Sequence, residues 1–369
     1  MNQVDDRIDP ALLGLLDGMV DAGASDLHLV PGYRPAHRVH GALLPLQAGE
    51  TLDPGRTRQM IESVMPHAAL DRIDELRNFD YSIALLHKDQ PCRFRANVFL
   101  AQGSLCACFR HIPNQIPSFE WMGFPKSLAG RIMHLTNGLV IITGITGSGK
   151  TTTLAALIEQ LNCEGGYRII TVEEPVEYVF SRNDKTVITQ REVGTDVGSF
   201  YDGLKYGLRQ DPDVVLVGEI RDRETAQMAL SAAETGHLIL ATLHTKDAKG
   251  AVTRFVDLFP YEVQDDVRTQ LSLSLRYVVA QHLLTSTAPG EKRVLALEVM
   301  TVNHAVRAAI RNGKIESLES AIQTGKRDGM LPLDDSLEQL AATGRISVET
   351  ARRYAKDPEG MNIGRAMAR

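Results

Sequence analysis

The 369-residue chain holds only four cysteines, Cys92, Cys106, Cys108 and Cys163, and no two of them stand in C-x-x-C spacing. That pattern argues against a zinc ribbon and leaves reduced, structural thiols as the expectation. No apolar run approaches the roughly 18 residues that a membrane-spanning helix needs. The opening MNQVDDRIDP is polar and acidic and does not resemble a secretory signal. Together these features predict a cytoplasmic protein. Aromatic residues make up 5%, the formal net charge is −6 and there is no long basic run, a balance that disfavours nucleic acid as the main partner. Internal repeats and low-complexity segments are also missing. What remains is 43% hydrophobic and 23% charged residues, an ordinary globular composition on a chain long enough for two domains.

Alternation and periodicity outline those domains. Residues 8–21 read as a helix, SDLHLV (25–30) and AHRVHGALL (36–44) as strands, and 54–76 as two helices. Three further strand candidates follow at 79–86, 92–103 and 105–113, giving a compact mixed α/β domain over 1–111. The stretch 112–125 carries Pro113, Pro117 and Pro125 without periodicity and reads as a linker and hinge. Beyond it, over 126–369, short apolar runs at 138–143, 167–172, 214–217 and 237–243 are separated by helical stretches, the pattern of a parallel sheet covered on both faces. After about residue 260 the chain reads as mostly helical, with one strand-like run at 294–300.

Ligands of open parallel sheets bind beyond the carboxyl ends of the strands, so the residues after each run are the site candidates. The first run is followed by GITGSGKTTT, which fits G-x-x-x-x-G-K-[ST] at Gly144, Gly149, Lys150 and Thr151. Glycines let backbone N–H groups wrap phosphates, a lysine reaches the β- and γ-phosphates, and a hydroxyl ligates Mg²⁺. Gly144, Thr146, Gly147, Ser148, Gly149, Lys150, Thr151 and Thr152 are the candidate ATP-binding residues. The second run leads into EEPVEY, with Glu173, Glu174 and Glu177. It is either an acidic solvated turn or the source of a carboxylate that orients or deprotonates the attacking water. The third leads into GEIRD, where Glu219 is placed to hold Mg²⁺, expected on a strand neighbouring that of the phosphate loop. Gly218 stands where the generic motif has an aspartate.

The fourth run, TGHLILATLHT, has His237 and His244 on either side of a short strand. Seven strand residues span roughly 23 Å and an odd offset turns side chains to opposite faces, so the two histidines cannot share one metal ion. His244 falls at the phosphate-loop edge, where it can sense the γ-phosphate; His237 falls at the far edge, where a structural histidine is equally expected.

These four strand ends, in this order, resemble the PilT branch of the secretion and type IV pilus motor ATPases. GASDLHLV (23–30) and RFRANVF (93–99) resemble that family's N-terminal domain, so the similarity runs from about residue 10 to at least 335. It implies an α/β protein with a PAS-like N-terminal domain, a RecA-like P-loop ATPase core and C-terminal helices. It also implies a homohexamer hydrolysing ATP between subunits to drive pilus retraction at the cytoplasmic face of the inner membrane. Its partners would be an inner-membrane platform protein and a paralogous motor. By the same resemblance Glu177 is the catalytic base, Glu219 the metal-binding carboxylate, and both histidines belong to a functional box. N-terminal-domain arginines, here Arg93, Arg95 and Arg110, would reach ATP on the core they pack against. Alternation independently puts Arg93 and Arg95 on one face. Arg209, Arg221 and Arg254 match further family positions.

Extension and type II secretion motors usually carry an extra N-terminal domain and a tetracysteine insertion, which favours the retraction branch here. Two departures stand against the pattern. Glu174 replaces the usual aspartate, and AVRAAIRNGK (305–314) lacks the terminal acid of AIRNLIRE, which keeps an accessory, PilU-like ATPase in view.

Overall fold

The computed structural model describes residues 7–361, apart from 40–41, 48–49, 71–74, 76, 89, 113–114 and 289–291. The chain forms two compact units, Met1–Gln115 and Ile116–Arg369.

The first unit is an antiparallel six-stranded sheet with the order β3-β2-β1-β6-β5-β4, made of β1 (Asp26–Leu29), β2 (Ala36–Val39), β3 (Ala42–Pro45), β4 (Asn78–His87), β5 (Gln90–Ala101) and β6 (Ser104–Ile112). Period-two alternation sends Leu27, Leu29, Phe94, Ala96, Val98, Ala107 and Phe109 to one core with Leu12, Leu16 and Met19 of helix Pro10–Asp21. That helix starts where it does because Pro10 needs no N–H partner there and the Asp9 carboxylate caps Ala11 and Leu12. The opposite face carries the arginines. Arg95 pairs directly with Arg110, and Arg110 with Asp26, across three strands.

The second unit is a seven-stranded sheet of order β13-β12-β7-β11-β10-β8-β9, all parallel except β13. Its strands are β7 (Gly138–Thr143), β8 (Arg168–Glu173), β9 (Val187–Glu192), β10 (Val214–Val217), β11 (Leu238–Leu243), β12 (Leu275–Leu284) and β13 (Val294–Thr301). The unbroken apolar run of β7 has a simple cause: Leu139 and Ile141 join the core on one face, Val140 and Ile142 the core on the other.

Three sequence expectations change here. β12 falls in the stretch read as mostly helical; Arg276, Gln281 and His282 interrupt its apolar run, yet it lies beside β7. β9 was not visible because VITQRE is a half-polar edge strand. Finally, 112–125 is not uniformly irregular. Phe119–Met122 forms a helical turn capped by Ser118, and Phe119 and Phe124 are buried in the second unit's core; 113–114 lie outside the described residues. Of the four thiols, Cys92 and Cys106 are buried as expected of structural residues, but Cys163 is exposed. Among the described residues no helix is long and apolar enough to cross a membrane.

One buried charge ties the C-terminal segment to this sheet. Glu298 of β13, 2% exposed, accepts from the Ala248 N–H at 2.9 Å and pairs with Lys356 Nζ at 2.6 Å. Asp334 in turn accepts from the Lys356 and Asp357 N–H groups. Removing one partner of a buried pair strands the other charge, at a cost of about 3–5 kcal/mol. The lysine end is one-third exposed, so about 2 kcal/mol is expected for Lys356→Met, or about 4–8 °C in Tm. Adding Glu298→Gln should recover part of the loss in a thermal melt; a melt unchanged by Lys356→Met contradicts the latch.

Candidate functional site

The phosphate-loop sequence passes from β7 into helix Lys150–Glu164 through glycines that only a loop without Cβ atoms can accommodate. Gly144 has φ 150°, Gly147 78° and Gly149 89°. Thr146 is exposed at the loop's tip, Ser148 is buried, and Thr151 and Thr152 are half-buried. The Thr152 hydroxyl lies 3.2 Å from the Tyr178 hydroxyl. Lys150 is buried, its ammonium donating to the Gly144 and Ile145 carbonyls at 2.8 and 3.2 Å. Burial lowers its pKa, partly offset by the Glu219 and Glu177 carboxylates, so both candidate acids lie within electrostatic reach of this ammonium.

Glu219 is not on the strand next to β7, contrary to the sequence expectation. β11 intervenes, and it is β11 that brings His244 alongside. His244 Nε2 lies 3.1 Å from Glu219 Oε2, and Arg221 Nη2 contacts the same oxygen at 2.8 Å. Arg221 also pairs with Glu174 at 2.6 Å, and these two carboxylates outweigh the burial that would otherwise lower its pKa. Glu219, Arg221 and His244, with Thr245 and Arg254, line a cleft of about 120 Å³. A roomier cleft of about 390 Å³ lies behind helix Lys150–Glu164, between Ile116 and Cys163, and holds none of the candidate residues. Phosphate is gripped by an open loop rather than a deep cavity, so the chemistry points to the smaller cleft.

Thr143, the last residue of β7, is tied to Thr245, just past His244: its hydroxyl takes the Thr245 N–H at 2.9 Å and contacts the Thr245 hydroxyl at 2.8 Å. No sequence signal marked this bond, nor the bracing of the acidic box. There Gln190 and Glu192 of β9 hold Tyr178 O and Val176 N at 2.7 and 3.0 Å, flanking half-buried Glu177 on both sides. Glu173 is buried and accepts from Thr171 at 2.6 Å. Gly218 is explained by space: a Cβ there would meet the Val172 carbonyl at 3.2 Å and the Glu173 Cα at 3.3 Å, leaving little room for an aspartate. Asp222 is occupied in capping helix Arg223–Glu234.

His237 stands apart. Its carbonyl pairs with the Gly138 N–H at the opposite end of β7, and its Nδ1 lies 3.1 Å from the Ala232 carbonyl. In the first unit, Arg110 pairs with Asp26 at 2.8 Å and Arg95 with Asp80 at 3.6 Å, while Arg93 is half-buried two residues before Arg95. Arg209 is exposed beyond helix Phe200–Gly207.

A parallel sheet with a phosphate loop after one strand, and acids and a histidine after its neighbours, defines a P-loop ATPase core of RecA-like type. The chain belongs to the Type II/IV secretion system protein family, whose model matches residues 3–356. It is 41% identical over 337 residues to the type IV pilus retractation ATPase PilT of Pseudomonas aeruginosa, covering 91% of this chain and 96% of that protein. It is 36% identical over 349 residues to the type IV pilus ATPase PilU of the same organism, covering 95% and 90%. A crystal structure of the pilus retraction motor PilT with bound ADP superposes with a TM-score of 0.85 at 40% identity, covering 94% of this chain and 97% of that one.

Proposed function

We propose that this chain is an ATP-driven motor that works as a homohexamer and drives type IV pilus retraction. The observation that supports it best is the phosphate loop that carries buried Lys150 at the end of β7, with His244, just past the next strand, touching Glu219. In this mechanism the N–H groups of 144–152 and the Lys150 ammonium hold the phosphates. Glu177 takes the proton of the attacking water, and His244 hydrogen-bonds the γ-phosphate and reports its loss to Glu219. The Thr151 hydroxyl and the Glu219 carboxylate are hard oxygen donors and suit Mg²⁺. That ion, when bound, neutralises charge on the β- and γ-phosphates.

Arg93, Arg95 and Arg110 would act on ATP held by a neighbouring copy, and His237 would serve the same box from its far end. The hinge between the units would lie within 112–125. Work would be delivered to an inner-membrane platform protein from the cytoplasmic face.

A second reading, an accessory ATPase that depends on a paralogous motor, is favoured by helix His304–Arg311, which ends on Asn312 without the retraction branch's terminal acid.

The test is steady-state ATP turnover of the purified chain with its mass in solution. A six-chain ring whose turnover falls by at least about 10²-fold in Lys150→Ala is expected. Undiminished turnover in that variant would reject the motor, and an inactive ring would favour the accessory role.

A further inference from the structure

Strand β12 and the residue that leads into β13 pack against the phosphate loop. A Cβ on Gly144 would meet the Gln281 carbonyl, one on Gly149 would meet Leu283 at 3.3 Å, and Arg293 Nη1 donates to the Gly147 carbonyl at 3.1 Å. The adjacent Lys292 sits over the Trp121 ring, 4.2 Å from its centroid, and donates to the Trp121 carbonyl. Trp121 belongs to the first helical turn of the second unit and is 54% exposed. Two consecutive cations thus touch the loop on one side and that turn on the other.

We propose that Arg293 is a positioning residue of the phosphate loop and that Lys292 carries the loop's state to Trp121. The physical ground is the planarity of the peptide bond. The Gly147 carbonyl and the Ser148 N–H belong to one rigid unit, and that N–H now donates to the Ile145 carbonyl at 3.1 Å. A phosphate that recruits the Ser148 N–H turns the whole plane, so the Gly147 carbonyl must move relative to the Arg293 guanidinium. With Arg293 holding its acceptor, one residue of backbone passes the displacement to Lys292. A cation–π contact at an exposed ring is weak enough to yield to it. Arg293 therefore sets how readily the loop adopts its phosphate-gripping form, and the turn at 119–122 senses it.

The inference rests on reading this loop as the nucleotide site, and the test separates the two. Trp121 is the chain's single tryptophan, so emission excited beyond the tyrosine absorption band reports it alone. ADP with Mg²⁺ is titrated into the full chain, following emission and, independently, heat of binding. The expected result is a saturable emission change in the unaltered chain. Lys292→Met should lose that change while its ADP affinity stays within about twofold, since an exposed cation–π contact is worth little. Arg293→Gln should lose the change and shift ADP affinity by about threefold to tenfold, because its bond to the Gly147 carbonyl is made with the Ser148 N–H turned to Ile145, with Arg293→Lys partly restoring both. Binding heat without an emission change, or an unaltered change in both variants, overturns the relay alone. Absence of binding heat in the unaltered chain overturns the nucleotide reading and the relay with it.

Discussion

Glu177→Gln is expected to lower ATP turnover by about 10²- to 10⁴-fold, the usual worth of a positioned general base, with ADP affinity changed by less than about threefold. Three carboxylates share the acidic box, and their environments differ. Glu173 is buried and bonded to Thr171, and Glu174 is paired with Arg221. Glu177 forms no hydrogen bond or ion pair within the chain among the described residues, and its neighbours Val176 and Tyr178 are pinned by β9. A base must be held in place yet leave its lone pairs for the substrate water, and of the three only Glu177 meets both conditions. Glu174→Gln is the comparison: it loosens Arg221 and through it Glu219, and should cost less than about tenfold, because exposed pairs contribute little. A coupled turnover assay with calorimetric ADP binding distinguishes the two; full turnover in Glu177→Gln would remove it from the base role.

The second large effect is expected from the smallest change. Gly144→Ala should weaken ADP binding by at least about 10²-fold, roughly 2.7 kcal/mol. At φ 150° an L-residue is strained whatever the space, and here there is none. A Cβ would lie 2.4 Å from Ser148 Oγ and 2.6 Å from the Gln281 carbonyl, which belongs to a sheet strand and cannot swing away. The loop must then depart from β12, and its N–H groups no longer converge. Gly147→Ala makes the instructive contrast. Its φ of 78° is also left-handed, but the nearest atom to a Cβ is an Arg293 nitrogen at 4.0 Å. Strain of about 1–2 kcal/mol is then expected without a clash. Equal losses in the two variants would show that backbone conformation alone, and not the close approach of β12, governs the loop.

Much of this protein was legible because its signals are local. The phosphate loop needs glycines and a lysine at fixed spacing whatever surrounds them, and strands buried on both faces must be apolar throughout. Hence β7, β10 and β11 lie where the sequence puts them, and period-two alternation correctly gives Arg93 and Arg95 one face. The seven-residue offset in TGHLILATLHT likewise foretold that His237 and His244 would sit at opposite ends of β11. Strand order is a different kind of property. Nothing in GEIRD says that β11 intervenes between its strand and β7, so the meeting of His244 with Glu219 came from the sheet. β12 escaped notice because Gln281 and His282 break its apolar run for reasons that lie elsewhere in the fold. Gln281 serves Thr153 on the neighbouring helix and His282 contacts the Lys246 carbonyl. The bracing of Glu177 by β9 and the contact of Arg293 with Gly147 join residues between 12 and 146 positions apart. Sequence determined which groups could do phosphate chemistry, since backbone reach and side-chain type are short-range properties. Tertiary structure decided which of them meet, since that depends on strand order and on contacts whose partners share no neighbourhood along the chain.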